Sequence, residues 1–240
     1  MSEWNWERLG AASGIAMLVF GGAGTVFERA PATAAEFTAN RSALLTQSML
    51  FLLGAASALW FLGALHAYLL RYEGGTGRVS TIAYGAGTGW VGLNLTAQAF
   101  QVGLADDPSA GAPYALLRVA SAMFTIANLP LAVTLLAVVV VSLRDHAFPV
   151  WLAWVALAAA GAQALLWSAT VIDSGPLAAD GWLSFALYPF FLVWLVPATV
   201  IMMIRAGRVA GVGPIIQQAE ANRSSARAVP TSPGPPATSR

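Results

Sequence analysis

Apolar residues fall in six long runs over the first 208 positions, separated by short polar or glycine-rich segments. The runs, at about residues 9–27, 42–70, 80–104, 114–143, 149–172 and 182–204, each approach or exceed the ~20 residues a helix needs to cross hydrocarbon. The pattern predicts an all-α fold: a polytopic membrane bundle of six transmembrane helices, forming one domain over residues 1–208. Beyond it the chain turns to arginine, serine, alanine and proline without apolar period, which predicts a disordered cytoplasmic tail over residues 209–240.

The third run differs from the others, because it carries Asn94, Gln98 and Gln101 inside its apolar sequence. At the helical period these amides share an arc of about 60° with Trp90 beside them, while Gly85, Gly89, Gly92, Thr96, Ala99 and Gly103 occupy the opposite side. Amides in hydrocarbon need partners, and small residues let helices approach closely. Both faces are therefore expected to be covered by protein or to line a cavity, with the third helix central.

A second polar stripe, Arg118, Ser121, Thr125 and Asn128, lies within about 80° on the fourth run. At ~1.5 Å per residue, Gln98 and Gln101 match the depth of Arg118 and Ser121, and Asn94 that of Thr125. Gln47 on the second run and Gln163 on the fifth can close the ring. Gln47, Asn94, Gln98, Gln101, Arg118, Ser121, Thr125, Asn128 and Gln163 are thus the candidate ligand-binding residues of an outward-facing polar pocket among spans two to five. The alternative is that they only join helix to helix, with Arg118 among lipid phosphates.

Composition narrows the chemistry. Of 240 residues 58% are hydrophobic and 10% charged, unlike a soluble domain. There is no cysteine, hence no disulfide, thiolate metal site or cysteine nucleophile, and all twelve basic residues are arginine, which removes lysine Schiff-base chemistry. Arginine without lysine, beside abundant alanine and glycine, points to a GC-rich bacterial genome. A net charge of +1, with arginines at span ends and in the tail, indicates no nucleic-acid partner.

Arg8, Arg71, Arg78, Arg144, Arg205 and Arg208 fall on one side of a six-span topology, and Arg29, Arg41 and Arg118 on the other. The majority side is expected to be cytoplasmic, with both termini there. Trp4 and Trp6 anchor the first run at the interface, and Pro130 is expected to kink the fourth helix near Ile126. The Gly74-Gly75-Thr76-Gly77 segment lacks the strand and lysine of a phosphate loop and reads as a turn between helices. His66 and His146 are predicted on the same side but lack paired spacing, so no metal or other cofactor is expected. No HExxH, GxSxG or intramembrane aspartate pair supplies a catalytic residue.

Leu65-His66-Ala67-Tyr68, the Glu73-Gly74-Gly75-Thr76-Gly77-Arg78 turn and the Asn94–Leu104 stretch resemble a group of six-span integral membrane proteins of high-GC Gram-positive bacteria. That group has no established activity, so the resemblance implies architecture and location only. The expected protein is a multi-pass, non-enzymatic component of the bacterial plasma (inner) membrane. It is expected to bind a partner protein, a lipid or a small molecule through its polar pocket. A small transporter is the alternative, and a membrane enzyme or haem carrier the least favoured reading.

Overall fold

A computed structural model of the chain describes residues 3–27, 34–106, 113–172, 175–177 and 181–206. The predicted tail lies outside them. Among the described residues there is no strand, and the helices are α1 (Glu3–Val26), α2 (Ala34–Ala39), α3 (Arg41–Glu73), α4 (Arg78–Asp106), α5 (Pro113–Asp145), α6 (Val150–Ser168, with a 3-10 turn Ala169–Val171), α7 (Trp182–Leu187) and α8 (189–206). α7 and α8 form one near-continuous rod broken at Tyr188. The break has a local cause: Pro189 has no N–H to donate to the carbonyl one turn back.

Five segments, Asn5–Val26, Arg41–Glu73, Ala115–Asp145, Val150–Val171 and Trp182–Ala206, are long and apolar enough to cross a membrane. α4 is long enough at 29 residues, but its three amides and its glycines make it less apolar, and it is not among the five. Large apolar side chains point outward along the helices, among them Met49, Leu53, Ile82, Val140, Val193 and Ile204. In water such a surface would drive aggregation. Together with the five apolar helices it indicates a membrane protein. Exposed Trp6, Trp151 and Trp182 lie near helix ends, and Trp6 stacks on the exposed Trp60 of α3 at 6.0 Å.

Consecutive long helices pack on one another from α1 to α6, except that the short α2 precedes α3. α8 closes the bundle: Trp194 meets Phe61 of α3, Phe191 meets Trp90 of α4, and Thr199 approaches Gly14 of α1. The principal core joins Phe61, Leu65, Val91, Leu135, Val138, Leu152, Trp194 and Leu195. Close approach of α1 and α3 relies on absent side chains, since a Cβ at Gly10 would stand 2.8 Å from that of Ala64, and one at Gly24 would stand 2.9 Å from the Phe51 ring.

The α3–α4 turn is held by specific chemistry. Gly74, Gly75 and Gly77 all take positive φ, which non-glycine residues adopt rarely. Gly77, at the start of α4, has no side chain to cap the helix. The Glu73 carboxylate does so instead, accepting the Val79 and Ser80 N–H groups at 2.7 Å each. α5 runs unbroken through Pro130, where Thr134 Oγ1 donates to the Pro130 carbonyl at 3.0 Å and lies 3.3 Å from the Ala83 carbonyl of α4.

The small face of α4 departs from expectation. Gly85, Gly89, Gly92, Thr96, Ala99 and Gly103 are all exposed, and no atom would meet a Cβ within 4 Å at Gly85, Gly92 or Gly103. α3 and α5 instead cover the side of α4 bearing Ala83, Gly87, Val91 and Ala97. Two neighbours cover only part of a helix circumference, so the ridge is left outward.

Candidate functional site

α3 and α4 are antiparallel, and two contacts set their register. The Arg41 guanidinium pairs with Asp106 at 2.9 Å at one end, and Leu62 Cδ2 would lie 2.5 Å from a Cβ at Gly87 near the middle. Counting along each helix from either contact places Gln47 and Gln98 within about one helical turn of the same depth. Both are buried, at 3% and 4% exposure, and Ser48 beside them is at 1%. The side-chain carbonyl oxygen of each glutamine accepts no hydrogen bond among the described residues. Toward the Arg41 end, Phe37 of α2 packs with Leu44, Leu104 and Ala105 in a separate apolar cluster. The two glutamines therefore occupy a polar level between that apolar cap and the principal core.

Other candidate residues distribute around this level unevenly. Gln163 on α6 is 1% exposed, and its side-chain oxygen is also unmatched. Asn94 and Gln101 are half-buried; Asn94 donates to the Trp90 carbonyl of its own helix at 2.8 Å. On α5, Thr125 donates to the Ser121 carbonyl at 3.1 Å and Asn128 to that of Thr125 at 3.1 Å. Asn128 is buried, but Arg118 and Ser121 are exposed. The Gln98 oxygen accepts no hydrogen bond among the described residues, so Arg118, though matched to it in depth, does not donate to it. Measured from the Thr134–Ala83 contact, Asn128 lies about 13 Å deeper than Gln98. The structure thus sets Gln47, Ser48 and Gln98 buried at about one depth, with Asn128 buried deeper and Arg118 exposed.

At the opposite end of the bundle lies a polar cluster that the stripe pattern did not single out. Arg71 of α3 extends both terminal nitrogens to the Glu7 carboxylate of α1, with Nη1 at 3.1 Å from Oε2. Arg205 of α8 directs Nη1 to the Tyr68 hydroxyl at 2.7 Å, the Tyr72 hydroxyl at 3.3 Å and the Ala147 carbonyl in the α5–α6 turn. Tyr68 in turn donates to that carbonyl at 2.6 Å. One sequence signal could have revealed the pair: Glu7 is one of two acids, with Glu3, in a terminus predicted on the same side as Arg71 and Arg205.

The His66 and Tyr84 rings lie 5.2 Å apart between centres, tilted by 39°, and His146 occupies the α5–α6 turn at a φ of 57°. No group of three metal-ligating side chains occurs among the described residues. No family model, curated protein or solved structure matches this chain.

Proposed function

We propose that the chain is a six-span, non-enzymatic protein of the bacterial inner membrane that binds a small molecule or lipid headgroup bearing hydroxyl or amine groups at the Gln47–Gln98 level. The observation that carries this reading is the pair of buried glutamine oxygens on adjoining helices, neither accepting a hydrogen bond. A buried acceptor left empty costs about 1–3 kcal/mol, and a ligand with N–H or O–H groups removes that cost. α4 counts as the sixth span here, because its half-buried and buried amides need shelter that its neighbours and a ligand provide.

Gln98→Met distinguishes binding from idle burial. Methionine keeps the length of the side chain and removes the unmatched amide, so the purified variant should unfold at a higher temperature than the wild type without ligand. At the same time it should lose a molecule that mass spectrometry finds in extracts of the wild-type protein. Identical extracts from the two proteins would reject the ligand reading and leave the amides as helix contacts.

The topology has its own measurement. Reporter fusions after Gly77 and after Ala110 should be active in the cytoplasm and outside it, respectively, as six spans with cytoplasmic termini require. The reverse pattern would invert the chain in the membrane.

A further inference from the structure

We infer that the groove between α1, α3 and α8 at the Arg71–Arg205 end is a binding site for a phosphate-bearing anion, with the headgroup of an anionic lipid as the expected source. It is independent of the amide level, which lies toward the other end of the bundle.

The site is a cavity of about 150 Å³ with Glu7, Tyr68, Arg71, Tyr72 and Arg205 as its polar lining, and with Met202 and several alanines completing the wall. That is well below the ~300–1,000 Å³ of pockets for drug-sized ligands, so a small headgroup fits its scale better than a nucleotide or a haem. The mixed lining suits a lipid: charge at the mouth, and methyl groups where a glycerol or acyl segment would lie.

The charges of the lining do not cancel. Glu7 has both oxygens engaged by Arg71, which makes that pair self-contained. Arg205 forms no ion pair with a carboxylate among the described residues, and its hydrogen bonds there, all from Nη1, go to neutral oxygens. A guanidinium has five N–H donors in a planar fork. Its Nε and Nη2 make no hydrogen bond among the described residues. Tyr68, the Ala147 carbonyl and the Tyr72 ring, 5.8 Å from the guanidinium carbon, hold the side chain in place. A fixed fork with a surplus positive charge at a helix end, beside a membrane surface, matches the planar pairing of arginine with phosphate oxygens. Basic pockets between helices near the cytoplasmic surface take such headgroups.

The test uses the full-length protein in a neutral detergent, with lipid retention read by native mass spectrometry and stability by thermal unfolding. Wild-type protein should retain phosphatidylglycerol in preference to phosphatidylcholine and gain thermal stability from it. Arg205→Gln should lower that retention about tenfold or more, as expected for losing charge-assisted bonds. Glu7→Gln should do the opposite, raising retention several-fold because it frees the Arg71 fork for the anion. A merely structural cluster would not respond to the two changes with opposite signs. Equal retention of the two lipids by the wild type, or weaker anion retention in Glu7→Gln, would overturn the proposal even if Arg205→Gln failed to fold. If inorganic phosphate alone at millimolar concentration protected the wild type as fully as phosphatidylglycerol, the phosphate site would stand and the lipid source would be rejected.

Discussion

Trp194→Ala should lower the stability of the bundle by about 3–5 kcal/mol, the range for deleting a large buried aromatic side chain. Trp194 is 1% exposed and stands where α8 meets α1, α3, α4 and α5. Its ring meets Phe61 at 6.5 Å in an edge-on arrangement and Phe191 at 6.0 Å, and it borders a void also lined by Met17, Trp90 and Leu131. That void measures about 10 Å³, at or below what one water molecule requires, so the space left by the indole would add to an unfilled cavity. Trp194→Phe should cost much less. Phenylalanine keeps the aromatic contacts and removes an indole N–H that finds no acceptor, and that relief offsets part of the lost volume. Thermal or denaturant unfolding of the two purified variants measures the difference. Alanine and wild-type proteins unfolding together would mean that α8 is not part of the cooperative core.

The helices were legible for a physical reason. A run bounded by charges, glycine or proline can only be a long helix in hydrocarbon, where every backbone group must be paired internally. The second predicted run, about 42–70, became Arg41–Glu73, and the fourth, about 114–143, became Pro113–Asp145. Rotation of each helix was harder to read. In a soluble protein polar residues mark the outer face, but here lipid and core are both apolar, and an apolar period points nowhere. Only amides and close glycine contacts carry orientation. Gln98 is buried as its chemistry demands, whereas the glycine ridge on the other side of α4 is exposed, because small size permits close packing without compelling it.

Pairings across the chain were less legible still. Arg71, Glu7 and Arg205 each satisfy a rule about helix ends separately, and that rule is indifferent to which charges touch. Their cluster depends on the lateral order of α1, α3 and α8, which packing decides. The same applies to the amide stripes of α4 and α5. Their matched depths placed Arg118 opposite Gln98, but depth does not specify azimuth, and Arg118 emerged on the exposed side.

Gly87→Leu should destabilise the protein by about 3 kcal/mol or more, while Gly92→Leu on the same helix should be tolerated. A Cβ at Gly87 would stand 2.5 Å from Leu62 Cδ2, 3.0 Å from its Cδ1 and 3.3 Å from its Cγ. Leu62 could yield only if space existed beside it. It is 4% exposed, and the void it borders is too small to receive a displaced isobutyl group. The added leucine would therefore push α4 away from α3, separating the helices that hold Gln47 and Gln98. At Gly92 no atom lies within 4 Å of the new Cβ. Leucine there replaces the poorer helix former and removes backbone freedom in the unfolded chain, so stability should stay level or rise by up to about 1 kcal/mol. Unfolding midpoints of the two variants in the same detergent decide the matter. Equal damage at both sites would show that the outward glycine face is covered in the folded protein, either by a second copy or by another partner. Tolerance at both would place the α3–α4 contact outside the structure that sets stability.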